Sequence, residues 1–272
     1  MHSQIFWFVC LIFVPACRAL LCTTTCSFTL SLSTPFYIPD QCGQSTLAGK
    51  CLGTIQFWYD RGEYDVYFRA DPSSLILTGD NRRSVLLDFS TDTSIFFSYS
   101  IDRVCNNLDD CARDLVADMA KEILPRNLNY PAIMNELQPL ITGPSRITDY
   151  PIFQCYDSNG NTQQCGTSFT QGLCAIEDVV TKNEVSINCD TDDLVGQAYV
   201  SIYQSFDDDF ATFGVHCNRS FCNTRSTLDA TKEVAFRYNI TITPDGRLDG
   251  SRLLISTLLI SLMMLFLFFN QV

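Results

Sequence analysis

The chain has 272 residues, 46% hydrophobic and 18% charged, with 30 acidic side chains against 18 basic ones and a net charge of −12. That balance excludes nucleic acid, because holding phosphates takes Lys and Arg that displace counterions, and it excludes a polybasic grip on anionic lipid. Fourteen cysteines beside two histidines point to an oxidising compartment and leave little for His-based catalysis.

From the N-terminus, residues 5–15 (IFWFVCLIFVP) form an apolar run of signal-peptide rather than membrane-span length. Cleavage after Ala19 removes Cys10 and Cys17 and leaves twelve cysteines, whereas cleavage after Ala16 leaves thirteen. Even parity selects a signal peptide of residues 1–19, with an uncleaved membrane anchor as the alternative. At the other end, residues 253–269 (LLISTLLISLMMLFLFF) would reach about 25 Å as a helix, slightly short of the hydrocarbon core, and no Lys or Arg follows them. The small triplet Asp249, Gly250 and Ser251 before this tail fits a glycosylphosphatidylinositol attachment signal, with a single transmembrane helix as the alternative. Either anchor puts the chain between on the cell surface, at the outer leaflet of the plasma membrane. Without Arg18 and Arg252, residues 20–250 carry 16 basic and 30 acidic side chains, a net −14.

The twelve remaining cysteines form two groups of six: Cys22, Cys26, Cys42, Cys51, Cys105 and Cys111, then Cys155, Cys165, Cys174, Cys189, Cys217 and Cys222. QCGQSTLAGKC (41–51) and QCGTSFTQGLC (164–174) coincide at six of eleven positions without a gap. Each group also closes on a tight pair whose first member precedes Asn. A diverged tandem duplication accounts for both features, and the tight pairs predict bridges Cys105–Cys111 and Cys217–Cys222. The other partners stay open, since six cysteines allow 15 connectivities. Zinc is disfavoured, because no Cys-x-x-Cys occurs and one histidine remains.

In chain order, TIQFWYDRGEYDVYFR (54–69) predicts a hairpin turning at DRGE, with Tyr64, Val66 and Phe68 on one face. Residues 84–88 and 94–101 predict two further strands. Ala112, Leu115, Val116, Met119 and Ile123 recur at helical spacing behind Asp109 and Asp110, and Pro125 follows, giving one amphipathic helix near 109–124. Residues 125–152 hold five prolines and read as a linker, with a short helix near 131–141 inside it. DSNGN (157–161) reads as a turn, because it fails the calcium-loop pattern. Residues 184–188 and 197–204 predict strands, and the alternation of Val234, Phe236, Tyr238, Ile240 and Ile242 predicts one more. Asn218 and Asn239 begin glycosylation sequons, Asn218 at an expected exposed loop tip.

Chemistry is sparse. His216, the one histidine after processing, adjoins a bridged cysteine, and neither a nucleophile elbow nor a phosphate-binding glycine loop is present. Asp207-Asp208-Asp209, and Asp190 with Asp192-Asp193, supply carboxylates for a possible hydrolase but read first as solvated loop charge. No catalytic, cofactor-binding or metal-ligating residue is assigned.

Phe153-Gln154-Cys155-Tyr156 and Cys217 to Cys222-Asn223 resemble the two ends of urokinase-receptor-type three-finger domains, an apolar-x-Cys-Tyr opening and a Cys-x4-Cys-Asn close. LLCTTTC (20–26) opens the first half in a similar way, although Cys111 is followed by Ala112 instead of Asn. The resemblance implies short β-fingers on a disulfide knot, used for protein–protein recognition.

The expectation is a mainly β chain of two tandem disulfide-rich domains. Residues 1–19 are the signal peptide, 20–124 domain 1, 125–152 a linker, 153–244 domain 2, 245–252 a stalk with the anchor site, and 253–269 the tail. The expected role is non-enzymatic recognition or adhesion toward an extracellular protein or glycan, with no cofactor. A carboxylate-dependent extracellular hydrolase and a structural surface-coat component are the alternatives.

Overall fold

The computed structural model describes residues 19–77, 79–89, 95–143, 153–166, 172–191 and 197–249. Residues 1–18 of the expected signal peptide, residues 250–252 and the hydrophobic tail 253–269 lie outside them. No helix among the described residues is long and apolar enough to cross a membrane.

The first half contributes β1 (Leu20–Thr23), β2 (Cys26–Ser31), β3 (Ser45–Ala48), β4 (Lys50–Trp58), β5 (Glu63–Asp71), β6 (Arg82–Asp88) and β7 (Phe96–Cys105), then helix α1 (Cys111–Ile123). Helix α2 (Tyr130–Ile141) follows. The second half adds β8 (Phe153–Tyr156), β9 (Thr162–Cys165), β10 (Leu173–Val179), β11 (Glu184–Asp190), β12 (Tyr199–Ser205), β13 (Phe210–Cys217) and helix α3 (Arg225–Arg237). β1 pairs with β3 and β8 with β9 in small ribbons; all other strands form one antiparallel sheet, ordered β11-β10-β13-β12-β6-β7-β4-β5-β2.

The expected duplication is visible in the register. Cys51 lies opposite Cys105 across β4 and β7, and their counterparts Cys174 and Cys217 lie opposite each other across β10 and β13. Carried outward, this match makes Ser84 the counterpart of Tyr203, because Ser84 pairs with Ser100 and Tyr203 with Thr212. Ser84 and Tyr203 are themselves paired across the β6–β12 junction. The halves are therefore related by a pseudo-two-fold axis through that pair. Two separate β domains had been expected, and the structure corrects this: the halves share one sheet and one core. Each half-sheet would otherwise end in a bare row of N–H and C=O groups, which the junction satisfies.

Alternation gives the sheet two unlike faces. Ile55, Phe57, Tyr64, Val66, Phe68, Phe97, Tyr99, Ile101, Phe213 and Val215 are fully buried on one of them. α1 packs there with Ala112, Val116, Met119, Ala120 and Ile123, while Leu115 sits at the margin. Asp110 is the N-cap residue of that helix, but its side chain makes no cap hydrogen bond. Asp109 accepts the Leu21 amide at 2.9 Å, and Asp110 accepts the Thr23 and Ser45 hydroxyls at 3.1 and 3.2 Å, so both tie the β1–β3 ribbon to the helix start.

Three expectations past residue 125 are corrected. The described part of the expected linker, 125–143, is packed structure: Leu128, Ile133, Met134, Leu137 and Ile141 enter the core, and Pro131 sits in the first turn of α2, where no N–H is needed. The expected strand at 234–242 is the end of α3 followed by turns. Thr224 caps that helix by accepting the Thr227 amide at 3.3 Å, and Leu228, Thr231, Val234 and Ala235 are buried at helical spacing. Phe236 and Ile242, which alternation would turn inward, are 40% and 42% exposed. Residues 245–249 are no free stalk, because Leu248 is fully buried and Gln204 accepts the amides of Leu248 and Asp249 at 2.8 and 2.9 Å.

Among the described residues six disulfides form, three in each half: Cys22–Cys51, Cys26–Cys42 and Cys105–Cys111, then Cys155–Cys174, Cys165–Cys189 and Cys217–Cys222. Both tight pairs are as expected. Gly53 faces α1 so closely that a Cβ there would lie 2.6 Å from Val116 Cγ2 and 3.1 Å from the Ala112 carbonyl. Gly53→Ala should therefore cost about 1–3 kcal/mol by overpacking, read as a lowered denaturant midpoint at unchanged m-value. An unchanged midpoint would contradict this helix–sheet contact.

Candidate functional site

Among the described residues the second sheet face carries no helix, and most of its side chains are half-buried or exposed, although Ser98, Val104 and Ser205 are buried. One row crosses five neighbouring strands in register: Tyr67 on β5, Thr54 on β4, Asp102 on β7, Arg82 on β6 and Ser205 on β12. Asp102 organises the row, accepting from the Thr54 hydroxyl at 2.6 Å and from Arg82 Nε at 2.7 Å. The next row holds Arg69, Leu52 and Val104. Apart from Ser205, these residues line a depression of about 290 Å³ together with Gly79, Asp80 and Arg103. Arg82 is committed to Asp102, whereas Arg69 is exposed and has no ion-pair partner among the described residues. Tyr67, 38% exposed, offers an aromatic platform beside it.

Gly79 and Asp80 bring the loop between β5 and β6 to the depression. Lys50, only 7% exposed, holds it down: Nζ donates to the Leu75 carbonyl at 2.7 Å and to Asp80 Oδ2 at 3.2 Å, and lies 3.9 Å from Asp71. Asp80 also accepts the Leu77 amide at 2.9 Å, and these contacts hold its carboxyl below the usual carboxylate range. With its polar groups engaged, the segment turns Leu75 and Leu77 to solvent at 63% and 55% exposure. Leu21 and Leu47, a cross-strand pair on the β1–β3 ribbon, are 45% and 67% exposed, and Leu108 is 66% exposed. The segments carrying these leucines are tied together, since Asn106 donates to the Ser74 carbonyl and Asp109 receives the Leu21 amide. Five exposed leucines thus gather at the end of the sheet where β4 begins.

The residues singled out in the sequence are dispersed. His216 lies on the open face of the second half, stacked on Tyr199 with ring centroids 4.0 Å apart, and its Nδ1 is 3.3 Å from Asp190. Burial lowers its pKa and Asp190 opposes this in part. Asp190 sits at the Cys217 end of β13, whereas Asp207 to Asp209 form the turn at its other end, roughly 25 Å away along eight residues. That is too far for a carboxylate pair to flank one glycosidic bond. Asp207 is engaged in holding the Asn81 amide and side chain at 3.0 and 2.9 Å. Asp192, Asp193, Gly250 and Ser251 lie outside the described residues, and Asp249 is packed on the sheet through its amide. Among the described residues no group of three or more His, Cys, Asp or Glu could hold a metal. The 157–161 segment is a turn closed by Asp157, which accepts the Asn159 and Asn161 amides.

The exposed tip expected at Asn218 is corrected: the residue is 5% exposed, and its Oδ1 accepts the Gly143 amide at 2.8 Å. Ser220 and Phe221 are the exposed members of that loop. Asn239, by contrast, is exposed beyond α3. The first half's leucine cluster was missed in the sequence, because no period marks side chains that a buried lysine turns outward.

Two measurements follow from these placements. Glycosidase digestion with intact-mass analysis should find one N-glycan, lost in Asn239→Gln and kept in Asn218→Gln; a glycan on Asn218 would contradict its burial. The His216 ring should titrate by NMR below its ordinary 6.5. The unfolded chain then binds that proton more readily, so the histidine's contribution to stability is complete above about pH 6.5 and declines as pH falls. A midpoint above 6.5 would mean that Asp190 outweighs burial.

No family model matches the chain, and no curated protein matches it.

Proposed function

We propose that the protein is a non-enzymatic recognition protein of the cell surface, and that it binds an extracellular protein through the leucine cluster and the adjoining depression of its first half. The observation that carries this reading is the gathering of Leu21, Leu47, Leu75, Leu77 and Leu108, all at least 45% exposed, at one end of the sheet. Exposed apolar side chains scattered singly need no explanation, but a cluster rimmed by Arg69, Asp80 and Tyr67 has the composition of a binding surface. Six disulfides support an extracellular setting. The resemblance to urokinase-receptor-type domains adds to the reading, since its two ends meet: Asn223, fully buried, accepts the Tyr156 amide at 3.0 Å and donates to the Tyr156 carbonyl at 2.9 Å. The lipid anchor at Asp249, Gly250 or Ser251 belongs to the same proposal.

The test uses the purified glycoprotein on intact cells of the species that encodes it. Leu47→Asp and Leu75→Asp should each weaken binding about tenfold without lowering the unfolding temperature. Protease treatment of the cells should abolish binding. Undiminished binding of both variants sinks the leucine surface, and binding that survives protease but not periodate makes the partner a glycan. Phosphatidylinositol-specific phospholipase C should release the native protein from its own cell; retention there sinks the lipid anchor.

A further inference from the structure

The pseudo-two-fold relation lets each half serve as a control for the other, and at one position the halves differ by a whole strand. In the first half β5 is flanked by β2, with Phe28 opposite Val66 and Leu30 opposite Tyr64. Under that cover Tyr64, Val66 and Phe68 have no exposure. The counterpart of β5 is β11, since Cys51 pairs with Ala70 as Cys174 pairs with Cys189. Val185 and Ile187 thus take the places of Val66 and Phe68. They keep the apolar alternation but stay half-buried, and among the described residues no strand pairs with the outer edge of β11.

The bridging follows the same difference. Cys42, by the shared QCG motif the counterpart of Cys165, reaches out to Cys26 on β2, whereas Cys165 is bridged to Cys189 on β11 itself. The second half is therefore built for the same sheet with its outermost strand left out.

We propose that the outer edge of β11 takes up an extended segment of another protein as a tenth strand, antiparallel to β11. Main-chain hydrogen bonds would supply affinity, and alternate side chains specificity. The register of β2 fixes the chemistry of the segment: apolar side chains opposite Val185 and Ile187, small polar ones opposite Ser186 and Asn188. Glu184 at one end, exposed, and Asp190 at the other call for Lys or Arg at the two flanks. The same charges disfavour a second copy pairing β11 on β11, because the centred register sets Glu184 against Asp190 of the other copy twice. This edge is separate from the leucine cluster and goes beyond the function proposed above.

The probe is the synthetic peptide KLTLSFK, which in the β2 register sets Lys against Asp190 and Glu184, and Leu and Phe against Ile187 and Val185. It should bind the purified glycoprotein and slow amide exchange within residues 184–190. A peptide with Pro at the central position, KLTPSFK, should not bind. Glu184→Lys should weaken KLTLSFK about fivefold and strengthen ELTLSFE in return, a charge swap that loss of folding cannot imitate. Leu47→Asp should leave peptide binding unchanged, which separates failure here from failure of the leucine surface. Absence of binding, protection outside β11, indifference to the charge swap, or self-association in sedimentation that Glu184→Lys strengthens would each overturn the proposal.

Discussion

The antiparallel pairing of β6 with β12 is the contact on which the rest of the molecule depends. Without it there are two small sheets, each with a bare edge; with it there is a nine-stranded sheet whose apolar face is wide enough for three helices. Side chains and the segment at Leu248 secure the joint. Arg83 on β6, 4% exposed, grips both oxygens of Glu122 on α1 at 2.6 Å and donates to the Leu248 carbonyl at 3.2 Å. Arg126 adds a third bond to Glu122 and reaches the carbonyls of Asn239 and Ile240. A buried charge of this kind adds little net stability over an apolar pair but makes any other arrangement costly. It therefore fixes where the second half's tail lies on the first half's helix.

Around this joint the copies have diverged in ways that keep the backbone plan. The counterpart of Ile55 on β4 is Asp178 on β10, by the match of Cys51 to Cys174, so an apolar contact under α1 is replaced by an ion pair with Lys232 under α3. Desolvating that pair is tolerable because the two charges are in direct hydrogen-bonded contact and Lys232 also lies 5.6 Å from the centre of the Phe213 ring. Loss of the outermost strand in the second half is the larger divergence. The small ribbons β1–β3 and β8–β9 are retained in both halves, each bridged to the central strand by Cys22–Cys51 or Cys155–Cys174.

The two sheet faces divide the labour of the molecule. One holds the core under the helices, and its alternation leaves the other free to carry polar rows such as Tyr67–Thr54–Asp102–Arg82. Lys50 shows how an exposed apolar surface can be maintained on an acidic, disulfide-stapled protein. Its buried ammonium takes up the Leu75 carbonyl and the Asp80 carboxylate, so these polar groups are satisfied while Leu75 and Leu77 stay outside. The leucines owe their exposure to that internal anchor.

By itself the sequence determined what short-range pattern can determine. The hairpin of β4 and β5, the strands at β6, β7, β11 and β12, helices α1 and α2 and the two tight disulfides were legible because alternation, helical spacing and short loop closure act within about 15 residues. The duplication was legible from the matched segments 41–51 and 164–174. The residues of the leucine cluster are contributed by segments up to 87 positions apart and carry no common period, so nothing local marks them. The segment after Thr224 satisfied two periods at once, and burial of Leu228 and Thr231 against the sheet decided for helix over the alternating Val234 to Ile242. Asn218 read as an exposed tip until the end of α2, expected as a short helix within a proline-rich linker, packed against it. The tertiary structure alone decided that the two halves are one sheet, because pairing β6 with β12 joins strands more than 100 residues apart through backbone groups that every residue shares and no side-chain pattern can encode.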